Sequence, residues 1–415
     1  MGALSPERQI ERLLQFTAWL DRHGELSYDH QSFFASERTR RIKGLYYRSP
    51  LLGTLIVAPI IFCEAFAPWM RTRFWKPQRF PIADAHYAMG FAYLARALGR
   101  EEYLARAVHF LEVLEQTRCP GFARHGWGYP FHWQTRNGTI AAGTPLITTV
   151  PYVYEAFQAV YDLDGNPRWR DIMHSIAEHA YHDYRDRETS PRAASCAYTP
   201  DHDDPCLVVN ASAYRAFLLT RAARDLDEPR YFQTARRNAQ YVLDAQNEDG
   251  SWPYATDGVR PFVDHFHTCF VMKALAKIEQ LTGDEWLWPA LDRGVAYYLN
   301  NLFAEDGLPR PFSKKPRLTV YERELYDLAE CVNLCLLLRG RYPEMGAKLV
   351  RVAGLEGWHK SDGSFRSRKL LLGWDNVPMH RWAQSQMFRA LSLLLLRNME
   401  AVAASSETTE RVRDQ

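Results

Sequence analysis

Apolar residues recur along this chain in two alternating styles. Stretches such as "FHTCFVMKALAKIEQL" (266–281) are apolar almost all round, whereas stretches such as "EWLWPALDRGVAYYLNNLF" (285–303) keep charge on one face. A helix apolar on every side belongs inside a protein, and one with a single apolar stripe belongs on the outside of a core. The pattern predicts buried helices starting near Ile82, Ile147, Leu207, Asp264, Arg323 and Met379. Half-exposed partners follow at 101–116, 167–184, 229–245, 285–302 and 342–353. Such regular spacing marks repetition of one helix-pair unit. Six inner helices have only five outer partners, and the amphipathic N-terminal stretch "SPERQIERLLQFTAWLDRH" (5–23) supplies the sixth. Ser5 before Pro6 is a good helix-start signal for it. The expected fold is all-α: one (α/α)6 toroid of six helical hairpins over residues 1–400, its outer ring closed by the N-terminal helix. The polar stretch 401–415 reads as a disordered tail.

The turns of this repeat have a signature of their own. "NEDGSWPY" (247–254), "AEDGLPRPF" (304–312) and "KSDGSFRSR" (360–368) share an Asp-Gly pair, and "RHGWGYPFHW" (124–133) is an earlier cousin. A turn uses Asn, Asp and Gly for their backbone freedom, but it has no need of rings. In a toroid these turns gather at the end where the inner-helix N-termini meet. Rings there serve one of two purposes. They wall a funnel and stack on flat sugar faces, or they pin each turn to the core, as Trp252 and Phe365 would.

The same end collects polar residues that a core does not need. In "PFVDHFHTCFVMKAL", Asp264, His265 and His267 precede an apolar helix. Asp264 is placed to cap that helix, and the two imidazoles are candidate proton-transfer groups. A metal site is the weaker reading of one His-x-His. "GWGYPFHWQTR" (126–136) offers Trp127, Tyr129, His132, Trp133 and Arg136. Arg136 is a candidate grip for a carboxylate, and Tyr129 would exchange protons if nearby positive charge lowered its pKa. Tyr321, Glu322, Glu324 and Tyr326 come to the next rim position. Glu322 and Glu324 also suit a helix N-terminus through its dipole. His380, Arg381 and Gln384 come to the last position, with Asn210, Trp252 and Tyr254 completing the candidate substrate-binding set. Asp201-His202-Asp203-Asp204 forms a D-x-D-D string. In class II terpene cyclases such a string supplies a proton from a carboxylic acid, and the plainer reading is an acidic loop ahead of a helix.

Composition narrows the classes. The chain has 415 residues with a formal net charge of +2, so nucleic-acid binding has no global electrostatic support. Seven cysteines, with no CxxC, fit a reduced compartment, with Cys331 and Cys335 acting as small core residues. The N-terminus lacks an apolar signal core, and the expected location is cytoplasmic, either free or peripheral at the inner membrane. No phosphate-cradling Gly loop, GxSxG or HExxH occurs, so no cofactor is expected. One segment stands outside the repeat. "SPLLGTLIVAPIIFCEAFAPWM" (49–70) is strongly apolar, broken by prolines and flanked by basic residues within 40–80. Its expected roles are an arm packed across the toroid or a dip into a membrane surface.

Together, "GWGYPFHWQ", "YTPDHDDPCLVVNASAY", "QNEDGSWPY…VDHFHTCFVMKAL" and "DGSF…MHRWAQSQMFRALSLL" resemble bacterial toroid proteins of exopolysaccharide and capsule loci, over most of 80–397. The chain is more distantly similar to the helical domain of glucuronyl C5-epimerases. It is also similar to squalene-cyclase-type toroids through Gln246, Gly250 and Trp252. The resemblance implies an enzyme acting on an oligo- or polysaccharide in polysaccharide assembly. The reaction expected is proton abstraction beside a uronate carboxylate, giving epimerisation or β-elimination. That chemistry requires a cation on the carboxylate, a base and an acid. The cation would be Arg136 or Arg381, with Tyr129, His265, His267 and Glu322 as acid and base candidates. The alternatives are a hydrolase with Asp264 and Glu322 opposed, a terpene-cyclase-like enzyme using Asp203, and a non-catalytic glycan-binding toroid.

Overall fold

The computed structural model describes residues 5–413 apart from 202, 315, 317 and 318. Helix α1 (Pro6–His23) opens the chain, with Pro6 in its first turn. The arm follows as α2 (Glu37–Arg48), α3 (Pro50–Phe66) and the short α4 (Arg71–Phe74). The helix pairs then come in order: α5 (Pro81–Leu98) with α6 (Glu101–Gln116), and α7 (Val150–Asp164) with α8 (Pro167–His182). Next come α9 (Val209–Asp225) with α10 (Tyr231–Asp244), and α11 (His265–Thr282) with α12 (Trp288–Asn301). The last are α13 (Leu325–Leu338) with α14 (Pro343–Ala353), and α15 (Ser385–Arg413).

The odd-numbered helices from α5 to α15 form the inner ring and the even-numbered ones the outer ring. The expected (α/α)6 toroid is therefore the observed fold. Burial follows the sequence pattern: α9 buries residues on all sides, whereas α10 buries one stripe. The ring closes where α15 packs on α5. Phe388 lies over Gly90, where an added Cβ would sit 2.6 Å from its ring. Helix α1 takes the sixth outer place, with Phe16 stacked on Phe388 (5.0 Å) and on Phe365 (5.3 Å).

Three expectations shift in detail. Helix α7 starts later than Ile147, because the Leu146 and Ile147 amides donate instead to the Trp127 and Tyr198 carbonyls. Helix α15 is preceded by a π turn over His380–Gln384. The tail expected from residue 401 continues α15 as far as Arg413, over a run containing the helix formers Ala, Glu and Arg.

Short strands edge the end where the inner-helix N-termini meet. β1 (Trp133–Thr135) and β2 (Gly138–Ile140) form a hairpin, with Trp133 opposite Ile140. β3 (Asp186–Ser190) pairs with β4 (Ala193–Cys196). β5 (Tyr321–Glu324), β6 (Arg368–Leu370) and β7 (Trp374–Asp375) make an antiparallel sheet in that order. The Asp-Gly turns share one construction. Asp249, Asp306 and Asp362 each accept through Oδ1 from the amide two residues on, at 3.0, 3.1 and 2.9 Å. The following glycines have positive φ and press on the next outer helix. A Cβ on Gly250 would lie 2.5 Å from the Arg293 carbonyl oxygen, and one on Gly363 would lie 2.3 Å from that of Gln15. Gly307 meets only the Arg351 side chain, at 3.5 Å.

Gly250→Ala and Gly363→Ala should therefore each cost about 2–4 kcal/mol in urea unfolding, from backbone strain plus a backbone clash. Gly307→Ala should cost about 1 kcal/mol, from strain alone. Equal losses in all three would show that the close approach to the outer helix contributes nothing.

Candidate active site

The aromatic turns divide their rings between two tasks, and strand geometry sets the division. Successive side chains of an extended segment point to opposite sides. In Trp127-Gly128-Tyr129 and Trp252-Pro253-Tyr254 the Trp points into the wall and the Tyr points to the axis. Trp127 Nε1–H donates to the Leu114 carbonyl (2.7 Å) and Trp252 Nε1–H to the Val242 carbonyl (2.9 Å). Each indole thus ties its turn to a carbonyl near the end of an outer helix, and the Val242 carbonyl is one that the helix itself leaves free. Both tryptophans are pins, and so is Phe365, buried against Phe16.

The axis-facing rings form a circuit. Tyr129 packs on Trp133 (5.4 Å) and Trp133 on Tyr198 (6.1 Å). Tyr198 and Tyr254 line one cavity of about 130 Å³, together with Trp133, Asp201, Asp203 and Arg260. Tyr254 packs on His267 (4.6 Å), and its neighbour Phe266 packs on Tyr326 (5.1 Å). Tyr326 meets Trp382 (4.7 Å), whose ring lies against the Arg381 guanidinium (4.6 Å). That guanidinium covers Tyr129 at 4.3 Å and closes the circuit.

Inside this circuit stands an Asp–His pair. Asp264 is the N-cap of α11, and its Oδ1 accepts from the His267 amide (3.0 Å). Its Oδ2 accepts from His267 Nδ1–H (2.6 Å). The carboxylate thus fixes the ring's tautomer and leaves Nε2 as the basic nitrogen. Asp264 is buried, while His267 keeps 21% of its side chain exposed, so the imidazole is reachable. Around it, burial keeps the phenols protonated. Tyr254 is pushed up to about 12, and Tyr198 and Tyr326 lie well above the usual value, all mainly through burial. Tyr129 corrects an expectation. Arg381 does stand beside it, but burial outweighs that charge and its pKa rises, which makes it a donor.

Arg381 is held bidentate by Asp29, at 2.8 Å for both bonds, and is not free to grip a ligand carboxylate end-on. Arg260 is the cation at the cavity. It lies 5.1 Å over the Tyr254 ring and pairs with Asp257.

The structure brings together Tyr129, Trp133, Tyr254, Asp264, His267 and Arg381 from the candidate set. Tyr321 stands nearby under the Arg368 guanidinium (4.5 Å). The other candidates lie elsewhere. His265 is fully buried, with Nε2 2.9 Å from the Tyr298 hydroxyl, on the side of α11 away from the axis. His380 accepts at Nδ1 from Tyr87 (2.6 Å) and donates from Nε2 to the Gly24 carbonyl (3.1 Å), so it serves the seam with α1. Gln384 clasps both backbone groups of Phe365. Asn210 is buried in the first turn of α9. His132, Arg136 and Glu322 are exposed on loops and strand edges. In the D-x-D-D string, Asp204 accepts from the Tyr198, Thr199 and Cys206 amides, so it organises a loop. Asp203 is exposed, without the enclosure a cyclase acid requires, and His202 lies outside the described residues. Sequence reasoning missed Tyr198, Arg260, Phe266 and Trp382. Among the described residues, no group of three His, Cys, Asp or Glu side chains is arranged to hold a metal.

A larger groove of about 660 Å³ lies at the opposite end, between the C-terminal ends of α9 and α11, lined by Arg224, Asp227, Arg236 and Trp286. It holds no comparable acid–base pair.

No family model matches the sequence, and no curated protein matches it. Solved structures do match. The cellobiose 2-epimerase of Bacillus thermoamylovorans superposes with a TM-score of 0.61 at 10% identity, over 77% of this chain and 88% of that one. A UGL variant with dGlcA-Glc-Rha-Glc gives 0.61 at 13% identity, over 94% and 96%. A D-mannose isomerase gives 0.57 at 12% identity, over 77% and 87%. At such identities the likeness is one of fold.

Two measurements check this assignment of roles. Trp252→Phe should lower stability by about 1–2 kcal/mol in urea unfolding, since it orphans a buried carbonyl. Tyr254→Ala, at a ring that lines the cavity, should cost no hydrogen bond of this kind. Buried His30, His86 and His380 should also make the fold acid-labile. Burial, first among the causes, lowers all three, His380 to about 3. The unfolded chain therefore takes up protons first, and stability falls as pH drops from about 6.5 towards 3. His380→Gln should flatten that decline in thermal melts between pH 7 and 4. An unchanged slope would remove His380 from the account.

Proposed function

We propose that this chain is a carbohydrate-active enzyme that moves a proton at a sugar carbon beside a uronate carboxylate, as an epimerase or lyase does. The observation that carries this reading is His267, its Nδ1 locked by Asp264, part-exposed within the aromatic circuit. A proton leaves the carbon for His267 Nε2, and the electron pair delocalises into the carboxylate. A proton returned to the opposite face gives the epimer, and loss of a neighbouring leaving group gives the unsaturated product. The donor is a phenol, Tyr254 or Tyr198, since burial holds both protonated. Arg260 is the cation that offsets the developing negative charge. The rings of Trp133, Tyr198 and Tyr254 supply faces on which a sugar stacks. The narrow cavity suits a chain end better than a chain interior. Likeness in fold to a cellobiose 2-epimerase, a D-mannose isomerase and the UGL variant with dGlcA-Glc-Rha-Glc supports the substrate class.

Hydrolysis is the second reading, and one observation favours it: Asp201 and Asp203 both stand at the cavity. The pair first considered, Asp264 with Glu322, is less suited. Asp264 is committed to His267 and the α11 N-terminus, and Glu322 is exposed on β5.

Incubation with uronate-containing oligosaccharides in deuterated water separates the readings. Deuterium at C5, or a product absorbing as an unsaturated uronate, is expected. His267→Asn should reduce that rate by roughly 10²–10⁴-fold with the melting temperature little changed. New reducing ends without exchange would select hydrolysis, and loss of that activity in Asp203→Asn would identify its acid. No exchange and no cleavage across uronate and neutral glycans would refute the proposal.

A further inference from the structure

The arm is apolar where a soluble surface should be polar. Helix α3 turns Gly53, Val57, Ile60 and Ala65 inward. Its exposed positions include Leu51, Leu52, Leu55, Phe62 and Phe66, and Trp69 is exposed just beyond it. Leu51 is 88% exposed and Leu55 74%. From Leu51 to Phe66 no exposed residue is charged, and the one charged side chain, Glu64, is turned to Arg368 (2.8 Å). A contiguous apolar face of this kind marks an interaction surface.

Charge identifies the occupant. Residues 37–79 hold nine Lys and Arg against two Glu, a surplus of seven positive charges in a chain whose total is +2. Glu37 pairs with Arg41 and Glu64 with Arg368, while Arg71 and Arg79 are paired with acids outside the segment, so the remaining positive charge lies on the exposed flanks. Arg38, Arg48, Arg73 and Lys76, on both flanks of the apolar helix, are exposed. Leu, Phe and Trp bordered by Lys and Arg are the composition that inserts shallowly into an anionic bilayer surface. No single described helix is long and apolar enough to cross a membrane, and the one bent pair that qualifies by composition turns through 113° between α3 and the segment after it.

The arm is also fixed in position. Arg71, after the bend, is buried against Asp375 of β7 (3.0 Å), and Arg368 of β6 holds Glu64. Helix α2 packs on β1, whose Trp133 lines the cavity.

We infer that α3 and its basic flanks dock this protein on an anionic lipid bilayer, with the cavity-bearing end of the toroid beside the membrane. The inference stands on the arm alone and does not require the proposed reaction.

The test is flotation of the full chain with vesicles of phosphatidylcholine, with and without phosphatidylglycerol. Binding to the phosphatidylglycerol vesicles is expected, with loss in high salt. Leu55→Glu with Phe62→Glu should lower the bound fraction roughly tenfold or more, and Arg38→Glu with Arg48→Glu should do the same. All four positions are exposed, and unchanged melting curves would show that the variants fold. Two results would overturn the inference. One is wild-type protein that stays with the lipid-free fraction. The other is a concentration-dependent dimer abolished by Leu55→Glu and Phe62→Glu without lipid binding, which would make a second copy the occupant.

Discussion

The contact of Phe388 with Gly90 joins the last inner helix to the first, and the geometry of the site depends on it. Six helix pairs in a row would make an open solenoid with two exposed apolar edges. Closure removes both edges and points six inner-helix N-termini at one end. The seam is reinforced from outside. Phe16 of α1 lies against Phe388, and His380 bridges Tyr87 of α5 to the end of α1. Each N-terminus carries a partial positive charge. Convergence of six favours negative charge there, and Asp264 caps α11 at that end, although burial outweighs the field at Asp84 and Asp327 and raises both. An anionic sugar would meet the same field.

Beneath the aromatic circuit the axis is polar. Lys273 pairs with Glu330 and donates to Tyr152, which bonds Tyr214 at 2.7 Å. Gln386 donates to His86 (2.6 Å), and Arg389 lies over Tyr152. Buried charge is costly in desolvation and contributes little net stability. Several polar atoms here, including Glu330 Oε1, His86 Nδ1 and Gln386 Oε1, have no protein partner. Groups of this kind are normally satisfied by water or by a ligand. The axis is thus rimmed by rings and floored by buried polar groups whose hydrogen-bonding capacity the protein does not fill.

The fold was legible because two local signals agreed, the 3.6-residue period and the recurring Asp-Gly turn. The site was legible in part. Asp264 and His267 stood out beside an apolar helix, but the sequence also offered His265. Two residues on a helix are separated by about 200°, so one imidazole faces the axis when the other faces away. Alternation in the W-x-Y turns would have separated pin from wall in the same manner. What stayed hidden depends on distance along the chain. Arg381 looked like a free cation because its partner, Asp29, is 352 residues away. Tyr198, Arg260 and Trp382 come from loops and a helix start with no repeating phrase, and only closure of the ring places them together. Tyr129 was judged by its charged neighbour, and burial proved the larger effect.

The arm and the cavity meet in one small element. Strand β1 presents Trp133 to the aromatic circuit and receives α2 on its other side. The β1–β2 hairpin adds few apolar contacts of its own, with burial no deeper than intermediate in either strand. Two-stranded ribbons are marginal without such support. Its position is therefore set by what lies on either side: the rings of Tyr129 and Tyr198 within, and the arm without. The arm and the wall of the cavity are therefore in contact through β1.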